Sequence, residues 1–173
     1  GNAVAGEPIV INVDLTKLNN GATADIDSLP STLPLTFAAV NGNVNPVETT
    51  LVNGIGTTTY TPAVMGEGSV TANIYAPVGT LDLNVAPEAG TVFVNYTGGL
   101  DTNAGDSWAN AVKTIEHALS IVGEGKTIYI AEGVNYLDAA DVNGLTIDKN
   151  VSIIGIGNEI VIDANNNGRI FYI

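Results

Sequence analysis

Asp163, Asn165 and Asn167 stand in "DANNNG", the D-x-N-x-N-G spacing with which the first half of a calcium loop gathers oxygen ligands while its glycine allows the sharp turn. The bidentate glutamate of a full loop would fall beyond Ile173, and the flanks read as strands rather than helices. A second oxygen-rich loop, "DTNAGD", supplies Asp101, Asn103 and Asp106. Each loop is a calcium candidate, set against a plainer reading as a solvated turn or helix cap in which amides and carboxylates bond the backbone. No resident cofactor is expected, and calcium is the one ion these loops would suit.

Glu116 and His117 form the other pair with chemical potential, since imidazole and carboxylate can share a proton or a metal. No second histidine and no cysteine exists to complete a ligand set, so no catalytic or metal role is assigned to them. A polysaccharide-cleaving site would need paired carboxylates, or calcium-binding acids with a base, and only Asp148, Lys149, Asp163 and Arg169 could contribute. Each adjoins a strand at a turn, where charge serves solubility. Two sequons, Asn95-Tyr96-Thr97 and Asn150-Val151-Ser152, are glycosylation candidates at Asn95 and Asn150. Tyr60, Tyr75, Tyr96 and Tyr136 could stack on sugars, but the sequence gathers them into no cluster.

The elements that carry these residues are mostly strands. Ile9, Ile11, Val13 and Leu15 alternate with polar neighbours, as do Leu35, Phe37 and Ala39, then Val70, Ala72 and Ile74, then Leu81, Leu83 and Val85. "VNGNVNP", "VNGIG" and "MGEG" between them have turn chemistry. This pattern predicts an antiparallel sandwich. A boundary falls near "VAPEAG", giving domains 1–87 and 88–173. Beyond it, short apolar runs at 128–130, 145–147, 151–154, 160–162 and 170–173, separated by Gly and Asn, suit a parallel β-helix.

One segment is helical in pattern. Trp108, Ala111, Val112, Ile115, Ala118, Leu119 and Val122 make a stripe of helical period, with Asp106 or Ser107 as N-cap and Gly123 as stop. Trp108, Ile115 and Leu119 are the predicted anchors of a cap over the open end of the solenoid, with Trp108 the largest contributor. His117 falls about 200° from Ile115, on the solvent side.

Composition sets the outer limits. The 173 residues carry 18 acids against 5 bases, a formal charge of −13, which argues against nucleic acid or an anionic membrane as partner. With 45% apolar content, no cysteine and no apolar run long enough to span a bilayer, the chain is expected to be stabilised by packing alone and not to insert into a membrane. It reads as an excised piece of something longer.

The order "LPLTFAAVNGNVNPVETTLVNGIGTTTYTP…GEGSVTANI…TLDLNV" resembles the bacterial-type immunoglobulin-like modules of surface adhesins. The second half, with "SWANAVKTIEHAL", "TIYIAEG", "KNVSIIG" and "GRIFYI" in order, resembles the amino-terminal cap and first coils of right-handed parallel β-helices of the pectate-lyase-like superfamily. The resemblance implies an all-β chain, an Ig-like sandwich followed by a short, helix-capped right-handed β-helix, from a large extracellular, cell-surface adhesin-like protein of a bacterium or methanogenic archaeon. In that family the catalytic face belongs to later coils, so the segment is expected to be non-enzymatic. The alternative is the start of a polysaccharide lyase or hydrolase whose catalytic coils lie beyond residue 173. Surface glycans or another cell are the expected partners, with a homodimer through the exposed C-terminal coil.

Overall fold

The computed structural model describes residues 1–17, 22–23, 33–137, 144–166 and 168–173. It divides into two compact units, Gly1–Glu88 and Ala89–Ile173.

The described residues of the first unit form eight strands: β1 (Asn2–Val4), β2 (Ile9–Asp14), β3 (Leu33–Val40), β4 (Gly42–Asn45), β5 (Glu48–Leu51), β6 (Ile55–Pro62), β7 (Gly66–Ile74) and β8 (Ala76–Ala86). They form two sheets, β1-β8-β7-β3-β5 and β2-β6-β4, antiparallel except for β1, which runs parallel to β8. Period-2 alternation sends Leu35 and Phe37, Val70 and Ala72, and Leu83 inward, where they meet Ile11, Val44, Leu51 and Tyr60 in one core. The sandwich expected from the alternation is therefore present. At the β5–β6 hairpin Asn53 and Gly54 both take positive φ, 51° and 76°, and Val52 and Ile55 exchange two backbone bonds. A tight turn with two left-handed residues matches strand twist, which is why Asn-Gly occupies it.

"VNGNVNP" departs from the turn it predicts. Asn41 and Gly42 bend the chain at its start and Pro46 at its end, and Gly42–Asn45 between them pairs with Thr59–Pro62 as β4. The segment's single core residue, Val44, is buried by that pairing and outweighs the Asn-rich composition.

The second unit holds β9 (Val92–Val94), a 3₁₀ turn (Trp108–Asn110), α1 (Ile115–Ile121), β10 (Thr127–Tyr136), β11 (Leu145–Thr146), β12 (Ser152–Asp163) and β13 (Phe171–Tyr172). Every ladder among its described strands is parallel: β9-β10-β12 and β11-β13. Thr127 lies opposite Ser152 and Leu145 opposite Phe171, steps of 25 and 26 residues, whereas Val92 lies opposite Ile128, a step of 36 that takes in the 3₁₀ turn and α1. Val92, Val94, Ile128 and Ile130 face a core shared with Leu145. The runs 151–154 and 160–162, separate in the sequence pattern, lie in one strand, β12, whose pairing with β10 shifts register between Ala131 and Gly133.

Apart from Trp108, the helical stripe is correct in which residues it buries and wrong in how. Trp108–Asn110 is a 3₁₀ turn whose N-cap Ser107 accepts from Asn110 N–H. The next residues are extended, Val112 bridging in parallel with Val94, and α1 begins only at Ile115. Ile115 and Leu119 are buried against β9 and β10, as the cap reading requires. Trp108 is not its anchor. It is 37% exposed and meets Phe93 edge-on at a ring separation of 4.7 Å. Phe93 alternates with the core-facing Val92 and Val94, so this contact belongs to the outer face of the ladder.

Candidate functional site

The loop 101–106 was the richest in oxygen, and its groups are spent on shaping the chain. Asp101 Oδ1 accepts from the N–H groups of Lys113 (2.8 Å) and Thr114 (2.9 Å), and its Oδ2 accepts from Thr114 Oγ1 (2.9 Å). Thr114 Oγ1 in turn accepts from His117 N–H at 3.1 Å as the N-cap of α1. Asn103 Nδ2 donates to Ala111 O at 2.9 Å. Asp106 Oδ1 accepts from Asn110 Nδ2 and Ser107 Oγ. A cation would need these oxygens turned toward one point, but donors already claim both oxygens of Asp101 and Oδ1 of Asp106. Among the described residues no group of three or more His, Cys, Asp or Glu could hold a metal ion.

In the other candidate loop Asp163 Oδ1 accepts from Asn165 N–H at 2.8 Å, and Asn165 and Asn166 both adopt left-handed φ. This is a local turn closed by its own aspartate. Asn167 lies outside the described residues.

Asp101 has a measurable consequence. Partial burial pushes its carboxyl up, but the hydrogen bonds from Thr114 and Lys113, with the nearby His117, outweigh that and hold it below the ordinary carboxylate value. A lowered folded pKa contributes stability that is complete above the unfolded value of about 3.9 and is lost as pH falls through the folded value. We expect the denaturation midpoint of the second unit to drop below about pH 4, and Asp101→Asn to flatten that drop. Superimposable pH profiles of parent and variant, recorded in urea, would refute this role.

His117 is half-buried rather than turned fully to solvent, because it sits by Asp101 at the start of the helix, while Glu116 is exposed. Lys149 is also accounted for: its Nζ donates to Leu119 O at 2.9 Å and Val122 O at 3.1 Å, the free carbonyls at the end of α1. A cation there complements the negative end of the helix dipole. Arg169 lies 5.5 Å from the Tyr172 ring centre, and Asp148 and Asp163 are exposed. Lys149 and Arg169 thus engage different partners.

The sequons differ in setting. Asn95 is half-buried and its Oδ1 accepts from Thr97 and Gly98 N–H, whereas Asn150 is exposed and its backbone N–H is held by both oxygens of Glu124. Of the four tyrosines, Tyr60 is buried in the sandwich core and unavailable to a sugar, and Tyr75 is 91% exposed at a left-handed corner. Tyr96 and Tyr136 meet edge-on at 5.6 Å, with Lys113 Nζ 5.2 Å over the Tyr96 ring. That trio was not visible in the sequence. Its members are far apart along the chain and converge because β9 lies beside β10 and Val112 bridges to Val94.

No family model matches the chain, and no curated protein matches it in sequence. Among solved structures the D00-D0 domain of Intimin matches with a TM-score of 0.35 at 19% identity, over 48% of this chain and 40% of the other.

Proposed function

We propose that this chain is a non-enzymatic segment of a large extracellular, adhesin-like surface protein: an immunoglobulin-like spacer followed by the capped first coils of a right-handed parallel β-helix. The observation that supports it most is the change of architecture along the chain. An antiparallel sandwich gives way to parallel ladders, in which β10 to β12 and β11 to β13 step by 25 to 27 residues, with α1 packed on β9 and β10. Such an arrangement offers long outer faces to a ligand. Of the residues considered for catalysis, Lys149 is engaged at the end of α1 and Asp163 in its own turn. Surface glycans or another cell are the partners of this reading, and the half-covered Ile160 and Ile162 of β12 suit a second copy.

Brief protease treatment of intact source cells is expected to release fragments recognised by an antibody raised to the chain. Recognition only after lysis would overturn the surface assignment. The same purified chain is expected to release no products from acidic polysaccharides, with calcium or with chelator. Product release would favour the rival enzyme class.

A further inference from the structure

The fold treats the two sequons of the second unit in opposite ways. Asn95 is locked from every side of its peptide unit. Its N–H donates to Val112 O at 2.9 Å, its carbonyl accepts from Gly99 N–H at 2.7 Å, and its Oδ1 closes a turn over Thr97 and Gly98. Gly98 lies so near the side-chain amide that a Cβ there would stand 3.3 Å from Asn95 Nδ2. A transferase could reach that nitrogen only by opening the turn.

Asn150 lies between β11 and β12, outside any helix or strand. From Asp148 to Ile153 exposure alternates: Asp148, Asn150 and Ser152 are exposed, whereas Lys149, Val151 and Ile153 are partly covered. The covered set is anchored inward, Val151 and Ile153 against the core and Lys149 at the end of α1. Asn150 and Ser152, the acceptor and the hydroxyl residue of the sequon, therefore share one outward side.

The backbone fixes where that side faces. Asn150 N–H donates to the two oxygens of Glu124 at 3.1 and 3.2 Å, and Asn150 O accepts from Gly125 N–H at 2.7 Å. Ser152 N–H donates to Lys126 O at 3.0 Å. These bonds run along the stacking direction of the ladder, so the Asn150 side chain stands across it. Strands stacked on β12 extend the ladder and leave this flank open.

We infer that Asn150 is the acceptor of an N-linked glycan and that Asn95, in the folded chain, is not. The inference rests on the extracellular reading above, because it requires a transferase whose donor is a glycan carried on a polyprenyl phosphate. Asn150 Nδ2 forms a bond to the anomeric carbon of the donor. The bond from that carbon to the phosphate oxygen breaks, the phosphate leaves with the electron pair, and one amide proton passes to a carboxylate of the transferase. The hydroxyl of Ser152 is the group by which such an enzyme recognises the acceptor.

Cleavage after glutamate separates the sequons, with Asn95 in peptide 89–116 and Asn150 in peptide 133–159. In chain recovered from source cells, mass spectrometry is expected to find glycan on 133–159, localised to Asn150 by fragmentation, and none on 89–116. Ser152→Ala should abolish the added mass, and Ser152→Thr should retain it. With a purified oligosaccharyltransferase and a polyprenyl-linked donor, the folded chain should be modified at Asn150 alone, and the two isolated peptides should both be modified. An unmodified 133–159 from cells whose surface protease releases the chain would overturn this proposal while leaving the surface assignment standing. Glycan that survives Ser152→Ala, or equal modification of both sequons in the folded chain, would overturn it as well.

Discussion

Tyr60→Ala is expected to lower the stability of the sandwich by about 3 to 5 kcal/mol, and Tyr60→Phe by about 1 to 2 kcal/mol. Tyr60 has no exposed surface, and its ring sits in the core with Leu35, Phe37 and Val44. Its hydroxyl donates toward Val40 O (2.9 Å) and Asn41 O (2.7 Å), the end of β3 and the corner leading into β4. The same corner is tied by Asn41, whose amide donates to Val64 O and accepts from Val64 N–H. Alanine leaves a cavity and unpaired carbonyls, while phenylalanine keeps the packing and loses only the bond. The difference between the two variants therefore isolates the hydroxyl. Gly68 belongs to the same arrangement, since a Cβ there would stand 2.6 Å from the phenolic oxygen. Burial also pushes the phenol above its ordinary pKa, so it remains a donor in mild alkali. For a unit of this size the alanine midpoint should fall by about 12 °C or more. Equal midpoints for parent and Tyr60→Phe would show that the corner does not depend on this bond.

In the second unit the larger loss is expected from Ile115→Ala, about 2 to 4 kcal/mol, and the smaller from Trp108→Ala, about 1 to 2 kcal/mol. Side-chain size alone predicts the opposite order. Ile115 is 3% exposed and fills the core between α1 and the parallel ladder, with Val94, Val112 and Ile128 in the same cluster. Trp108 contributes one edge-on aromatic contact and part of its surface. Paired urea titrations of the two variants decide the matter. A Trp108→Ala loss exceeding that of Ile115→Ala would restore the tryptophan as the anchor of the cap.

That reversal shows where sequence pattern is informative. The alternations at 35–39, 70–74 and 81–85 were readable because in a strand the phase follows from backbone geometry alone, and they landed in β3, β7 and β8. The Asn53-Gly54 turn was readable for a similarly local reason. The stripe from Trp108 to Val122 was deceptive because Val112, extended beside Val94, happens to fall in helical phase with Ile115 and Leu119. Thr114 gave a local hint of the true start, being a favoured N-cap three residues before His117. Asp101 as the partner of Thr114 could not be foreseen, since loop closure brings it there across the intervening turn. The same holds for Lys149 at the end of α1 and for Tyr96 beside Tyr136. Residue types suggested ligands and catalysts, but the fold uses most of them as caps.

The parallel pairing of β1 with β8 also determines how the first unit bears load. Tension drawn between Gly1 and Ala86 pulls two neighbouring strands in opposite senses along their common axis. The bonds from Gly1 to Asp82 and Asn84, and from Ala5 to Ala86, lie across that axis and share the force. They must shear together, whereas a ladder pulled open from one end unzips bond by bond. A sandwich paired this way resists extension along the line from Gly1 to Ala86 by shear.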